Sequence, residues 1–152
     1  MKTVLFVCTG NTCRSPMAEG LFNKMLLDSG KDQEVFAVSG GVGAPEGQPA
    51  SENAVKVMRN MGIDISPHRA RQVSGDLMMA DLILTMTKGH KAYILDQFPE
   101  TRDRVFLLDE YVKGGVGEDI QDPFGGDEHI YRMVAEQIKA KLGKVLERLE
   151  KS

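Results

Sequence analysis

Short apolar runs alternate with longer segments of helical periodicity, and this alternation limits the fold more than any other feature of the chain. Strands that alternate with helices form parallel sheets whose two faces the helices cover. The sequence therefore predicts an α/β fold of three layers, with a doubly wound, four-stranded parallel sheet and helices on both faces. The predicted strands are Val4–Val7, Val35–Val38, Leu82–Leu84 and Val105–Leu108. The predicted helices run from Ser15-Pro16 to Gly30, over residues 54–61, from Lys88 to Gln97, and from about Asp127 along a stripe that includes Ile130, Met133 and Leu149.

Length, composition and charge exclude several classes of protein. The 152 residues include 41% apolar side chains, enough for one domain over residues 1–152 with a core that needs no disulfide or metal. A net charge of −3 without a basic block argues against a nucleic-acid partner. The N-terminus turns polar too early for a signal peptide, and no stretch is long enough for a membrane span. We expect a cytoplasmic monomer without a membrane partner.

The segment after the first predicted strand has the composition of a phosphate-binding loop. It reads Cys8-Thr9-Gly10-Asn11-Thr12-Cys13-Arg14-Ser15 and leads into a Ser-Pro helix start. Backbone N–H groups of a tight loop and of a helix N-terminus bind a dianion, and Gly10 allows the curl. Arg14 can hold two phosphate oxygens at once. The glycine-rich nucleotide loops do not match, because the chain has no Gly-Lys-Ser/Thr and no spaced glycine triad.

Cys8 is predicted to lie at the floor of this loop. A positive environment lowers a thiol pKa from about 8.5 to between about 3.5 and 7.5, so we expect a thiolate nucleophile that Ser15 steadies by a hydrogen bond. A phenol or guanidine leaving group has a pKa of about 10 or above about 12 and needs a proton as it departs. Asp122, in the Asp-Pro turn before the last helix, is the candidate acid.

The loop Cys8-Thr-Gly-Asn-Thr-Cys-Arg-Ser-Pro resembles the signature loop of low-molecular-weight protein-tyrosine phosphatases. Further landmarks follow in order: Ser39-Gly40-Gly41 where the family has Ser-Ala-Gly, then His68-Arg69-Ala70-Arg71, then Asp122-Pro123. The resemblance implies a phosphocysteine intermediate on Cys8, Asp122 as general acid and then base, and inorganic phosphate as product. It also implies that Asn11, Ser39 and His68 support the loop together with Ser15.

No cofactor or metal is expected. The three histidines, His68, His90 and His129, show no ligand spacing.

Two positions point to the substrate. Thr12 stands where many family members have a larger aliphatic residue, and Phe124-Gly125-Gly126 stands where eukaryotic members have consecutive tyrosines. Both features, and the segment Thr85–Lys91, resemble the bacterial protein-arginine phosphatases of the same fold. The resemblance implies phosphoarginine proteins as substrates, a stress-response setting, and Thr12 as a specificity residue, with phosphotyrosine as the alternative. Phe124 is predicted to form a wall of the entrance that stacks on a flat side chain.

A second cysteine, Cys13, is also compatible with classes of protein other than a phosphatase. By resemblance it would trap oxidised Cys8 as a reversible disulfide, although a packing role is an equal alternative. A thiol redox sensor without phosphatase activity explains the cysteine pair but not Arg14 or Asp122. A non-catalytic phosphate-binding module does not explain Cys8, and an arsenate reductase would need further cysteines downstream. A phosphatase uses all of these residues.

Overall fold

The computed structural model describes residues 1–151, which form a parallel sheet of four strands flanked by helices. The strands are β1 (Lys2–Cys8), β2 (Val35–Gly41), β3 (Leu82–Thr85) and β4 (Val105–Leu107), in the order β2-β1-β3-β4. The chain leaves β1 in one direction and later crosses back to place β3 on its other side. The carboxyl end of β1 therefore lies at a switch point, where α/β sheets bind their ligands.

Five helices of residues 1–151 cover the sheet, and the predicted three-layer α/β fold is confirmed. Helices α1, α2 and α5 pack against one another on one face, and α3 lies over β3 and β4. Within residues 1–151 no helix is long and apolar enough to cross a membrane. The helices are α1 (Arg14–Asp28), α2 (Glu52–Asn60), α3 (Lys88–Gln97), α4 (Leu108–Lys113) and α5 (Glu128–Lys151).

Strand β1 is buried on both faces, which explains its continuous apolar sequence. Val4 and Phe6 point into the core formed with α1 and α5, and Phe6 meets Phe22 of α1 edge to face at 5.8 Å. Leu5 and Val7 point into a second core that includes Ile94 of α3. Since side chains alternate along a strand, β1 supplies both layers and fixes the position of the loop that follows it.

Three local predictions are wrong. Leu108 does not end the fourth strand but begins α4, a helix that the sequence analysis missed; the Glu110 side chain accepts a hydrogen bond from the Leu107 N–H at 3.0 Å and caps it. Helix α1 begins at Arg14, one residue before the predicted start at Ser15-Pro16, so Ser15 lies inside its first turn. Met133 is 45% exposed, and Tyr131 takes the inward position on α5.

Asp109 in α4 is a buried carboxylate that holds the segment leading to Asp122. Lys141 donates to Asp109 Oδ1 at 2.9 Å, Lys113 lies 3.1 Å from Oδ2, and the Glu118 N–H donates to Oδ2 at 2.7 Å. Burial opposes ionisation, but these hydrogen bonds outweigh it and lower the pKa of Asp109 to about 2.

Replacing Asp109 with Asn is expected to lower the free energy of unfolding by about 2–3 kcal/mol near neutral pH, because two lysines then lose a buried partner. The folded-state pKa lies below the ordinary value of 3.8, so wild type loses this contribution as the pH falls through 2, and the difference between the two proteins shrinks there. Urea unfolding at several pH values measures it. Asp28→Asn, which breaks only the exposed Lys24–Asp28 pair, is the control, and an equal effect of both substitutions would contradict the prediction.

Candidate active site

The chain between β1 and α1 curls into a tight loop with the Cys8 thiol at its floor. Cys8 is the last residue of β1 and only 2% exposed, and Arg14 is the first residue of α1. Asn11, at the middle of the loop, has φ 56° and is the one non-glycine residue with positive φ in the described chain. Its N–H points inward and donates to Cys8 Sγ at 3.3 Å. The strand end and the helix start thus meet around one sulfur atom.

The Asn11 side chain holds this conformation through bonds to three parts of the fold. Its Nδ2 donates to Ser15 Oγ and to Ser39 Oγ, each at 2.9 Å. Its Oδ1 accepts from the Arg71 N–H at 2.9 Å. The backbone carbonyl oxygen of Asn11 lies 2.7 Å from His68 Nε2. The structure brings together all four residues predicted to support the loop: Asn11, Ser15, Ser39 and His68.

Two further residues hold this network: Glu19, which the sequence analysis missed, and Gly41, which it named only as part of a family landmark. Ser39 Oγ donates to Glu19 Oε1 at 2.7 Å, so a carboxylate of α1 anchors the far side. A Cβ atom on Gly41 would overlap the carbonyl oxygen of Thr9. The end of β2 can lie against the loop only because Gly41 has no side chain.

Opposing effects set the ionisation of Cys8. Burial is the largest effect and raises the pKa of the Cys8 thiol. Hydrogen bonds from Ser15, the charge of Arg14 and the N–H of Asn11 lower it; Ser15 Oγ lies 2.8 Å from Sγ. The net lowering expected from the sequence is wrong, because counting the positive groups around the thiol omits the cost of removing it from water.

Arg14 connects the loop to the segment that carries Asp122. Its side chain is 5% exposed, its Nη1 donates to the Ile120 carbonyl at 2.9 Å, and its Nη2 lies 3.7 Å from Asp122 Oδ2. The Asp122 side chain is 52% exposed and also accepts from the Phe124 N–H at 3.0 Å. A buried cation therefore holds a solvent-accessible carboxylate at the mouth of the loop.

One cavity includes the three predicted catalytic residues and both predicted specificity residues. Phe124 is 78% exposed at its rim, where a flat substrate group could stack on it. Pro45, in the segment after β2, is an exposed lining residue that no sequence signal identified. The lining residues are Cys8, Thr9, Gly10, Thr12, Cys13, Arg14, Pro45, Asp122 and Phe124.

Cys13 is a free thiol that contacts residues outside the loop. Its Sγ lies 3.3 Å from the Tyr131 hydroxyl of α5 and 3.6 Å from Ser51 Oγ. Burial, followed by the contact with Cys13, raises the pKa of Tyr131 to about 12, so this phenol is neutral at physiological pH. The redox role of the Cys8–Cys13 pair stays a prediction.

His90 is a further residue of the site that the sequence analysis did not single out. Its Nε2 lies 2.8 Å from the Thr9 hydroxyl, and the ring is almost fully buried. Among residues 1–151 no cluster of three or more His, Cys, Asp or Glu could hold a metal ion.

A thiol, an arginine and a carboxylate around a phosphate-sized loop define a cysteine-dependent phosphatase. Residues 3–152 match the low molecular weight phosphotyrosine protein phosphatase family. The chain belongs to this family, and the enzyme class predicted from the sequence is confirmed.

The similar proteins include some named arginine phosphatases and some named tyrosine phosphatases. A protein-arginine-phosphatase of Geobacillus stearothermophilus is 40% identical over 148 residues, 97% of this chain and 95% of the relative. A low molecular weight protein tyrosine phosphatase from T. tengcongensis is 47% identical, with a TM-score of 0.91 over 97% of this chain and 99% of that chain. The arginine phosphatase YwlE, solved with serine in place of its active-site cysteine and with that serine phosphorylated, is 39% identical, with a TM-score of 0.94 over 99% and 97%.

Replacing Ser15 with Ala is expected to raise the pKa of Cys8 further, because the thiolate loses its closest hydrogen bond. A hydrogen bond worth about 1.4 kcal/mol to the thiolate corresponds to a shift of about one pH unit. The measurement is the pH dependence of Cys8 alkylation by iodoacetamide, with fragment mass spectrometry to separate Cys8 from Cys13. Ser74→Ala, at an exposed serine, is the control. A midpoint that stays the same or falls in Ser15→Ala would contradict the assignment.

Proposed function

We propose that this phosphatase hydrolyses phosphoarginine in proteins, with Cys8 as nucleophile, Arg14 as phosphate ligand and Asp122 as general acid. The observation that carries the proposal is that the thiol, the guanidinium and the carboxylate line the same cavity, with the thiol at the floor and the carboxylate at the mouth. Each group then stands where one part of the reaction needs it.

The first step transfers the phosphoryl group to sulfur. The Cys8 thiol first loses its proton to solvent, and Ser15 and the Asn11 N–H stabilise the thiolate. The thiolate attacks phosphorus, the S–P bond forms, and the P–N bond to the arginine side chain breaks. Asp122 donates its proton to the departing nitrogen, since a guanidine is too basic to leave unprotonated. Arg14 and the N–H groups of the loop stabilise the charge on the phosphoryl oxygens. Asp122, only half buried, can exchange protons with solvent between turnovers.

The second step releases phosphate. Asp122, now a carboxylate, accepts a proton from a water molecule that attacks phosphorus, and the S–P bond breaks. Inorganic phosphate leaves, and Cys8 returns as a thiolate that Ser15 and the Asn11 N–H stabilise. The phosphorylated active-site serine of YwlE supports a phosphoenzyme intermediate in this chain.

The presence of Thr12 in the cavity supports phosphoarginine, rather than phosphotyrosine, as the substrate. It is half buried, lines the cavity, and has its hydroxyl 3.8 Å from Cys13 Sγ. A β-branched polar residue changes both the shape and the hydrogen bonding beside the phosphorus. Relatives named protein-arginine-phosphatases match over nearly the full length, which favours the same substrate. Phosphotyrosine is the second candidate, because the 47% identical structure is named a tyrosine phosphatase.

The wider setting is part of the same proposal. Phosphoarginine in proteins must be supplied by a kinase that phosphorylates guanidinium groups, as in the bacterial stress response that the arginine-phosphatase resemblance implies. The enzyme would act there as a cytoplasmic monomer without a cofactor, with Cys13 as a guard against irreversible oxidation of Cys8. Both thiols are free and belong to one loop, which supports that last role.

The wild type is expected to prefer a phosphoarginine protein to a phosphotyrosine peptide, and Thr12→Ile to shift the ratio of the two kcat/KM values toward phosphotyrosine by about tenfold or more. Thr12→Val, which keeps the shape and removes the hydroxyl, separates the two contributions. Side-by-side kinetics on purified proteins measures the ratio. A wild type that cleaves only phosphotyrosine would overturn the arginine assignment.

Asp122→Asn is expected to slow cleavage of phosphoarginine and phosphotyrosine by about 100-fold, because both leaving groups need a proton. Cleavage of para-nitrophenyl phosphate, whose leaving group departs unprotonated, is expected to fall far less. The kcat values on the three substrates give the comparison, with Asp96→Asn as a control at an exposed carboxylate outside the cavity. Equal losses on all substrates would remove Asp122 from the acid role.

A further inference from the structure

Thr9 and His90 form a contact at the mouth of the cavity that the mechanism above does not use. Thr9 directly follows Cys8, is exposed, and lines the same cavity as Arg14 and Asp122. Cys8, Cys13 and Arg14 of the same loop are buried and Thr9 is exposed, so Thr9 lies on the solvent side of the loop, toward the group that would carry the phosphate. Its Oγ1 lies 2.8 Å from Nε2 of His90 in the first turn of α3.

The surroundings of His90 decide which atom donates in this bond. Nδ1 of His90 is buried and has no hydrogen-bond partner among the described residues. A buried N–H without an acceptor is rarer and more costly than a buried nitrogen lone pair without a donor. We therefore assign the proton to Nε2, which donates to Thr9 Oγ1. The Thr9 oxygen keeps one lone pair, and its own hydrogen remains free to donate.

His90 is held in place and uncharged. Its backbone N–H donates to the Thr87 hydroxyl at 3.1 Å, and the Lys88 N–H beside it donates to Asp119 Oδ1 at 2.8 Å. Burial and then the charge of Arg14 lower the pKa of His90 to about 4, against the opposing charges of Asp119 and Asp122. At neutral pH the ring is therefore a single neutral species with a fixed donor.

We propose that Thr9 is a substrate-contacting residue whose hydroxyl accepts an N–H of the phosphoarginine guanidinium, and that His90 is the positioning residue that aims this hydroxyl. The proposal rests on the proposed phosphoarginine activity, because a guanidinium provides N–H donors. An aryl phosphate has no N–H for the Thr9 oxygen, so the contact favours phosphoarginine.

Thr9→Val tests the hydroxyl. It keeps the branched shape and is expected to lower kcat/KM for a phosphoarginine peptide about tenfold, the value of one hydrogen bond of about 1.4 kcal/mol. The same variant is expected to lower kcat/KM for para-nitrophenyl phosphate by a smaller factor, because that substrate has no N–H for the Thr9 oxygen to accept. Thr9→Ser keeps the hydroxyl and restores most of the phosphoarginine activity. A loss of equal size on both substrates would overturn the proposal.

His90→Gln and His90→Asn test the positioning role as a matched pair. A glutamine amide can place an N–H donor near the position of Nε2, whereas an asparagine amide reaches only to the position of Nδ1. His90→Gln is expected to keep the substrate preference, and His90→Asn to lose as much phosphoarginine activity as Thr9→Val. The double variant Thr9→Val/His90→Asn is expected to lose no more than either single variant. Additive losses in the double variant would mean that His90 acts independently of Thr9 and would overturn this role.

The wild-type protein separates this proposal from the one on which it rests. If wild type cleaves para-nitrophenyl phosphate but not phosphoarginine peptides, the proposed function fails and the Thr9 contact fails with it. If wild type cleaves phosphoarginine and Thr9→Val does not change the ratio of the two activities, only the Thr9 proposal fails. Thermal unfolding of every variant shows whether the fold is intact.

Discussion

The hydrogen bonds of Asn11 are the constraint on which the rest of the site depends. Asparagine adopts φ near 56° more readily than most residues with a side chain, and here bonds to Ser15, Ser39, Arg71 and His68 hold it there. These partners come from α1, from β2 and from the segment before β3. With the loop fixed in this way, the Asn11 N–H points at Cys8 before any substrate arrives, so binding need not order the loop.

The order of the sheet explains how distant residues serve one reaction. Because β1 lies between β2 and β3, the loop after it touches segments that follow each neighbour. Arg14 extends this arrangement to Ile120 and Asp122, and Asp109 anchors the chain just before them through the Glu118 N–H. Asp122, the proposed acid, is therefore paired with a buried cation, and the chain before it is anchored by a buried carboxylate, while its own carboxylate stays in contact with solvent.

The fold and the central loop could be predicted because their signals are local. Apolar runs of strand length give the sheet, and residues 8–15 lie between a strand and a helix where a phosphate loop belongs. Helix α4 was missed because six residues give too little periodicity, and its cap depends on the position of Glu110. The predicted lowering of the Cys8 pKa was wrong because the burial that raises it is a property of the whole fold. Pro45, Glu19 and His90 were missed because only tertiary contacts bring them to the loop.

Gly40 and Gly41 differ in whether the site could accommodate a side chain. The resemblance noted above departs from the family at Gly40, where alanine is usual; a Cβ there would lie 2.9 Å from Leu77 Cδ1, the flexible tip of a side chain that can turn aside. At Gly41, which matches the family, the neighbour is the backbone of the loop itself, which cannot move without displacing Cys8. The intolerance to mutation that belongs to a catalytic loop thus extends to a residue of another strand that takes no part in the chemistry.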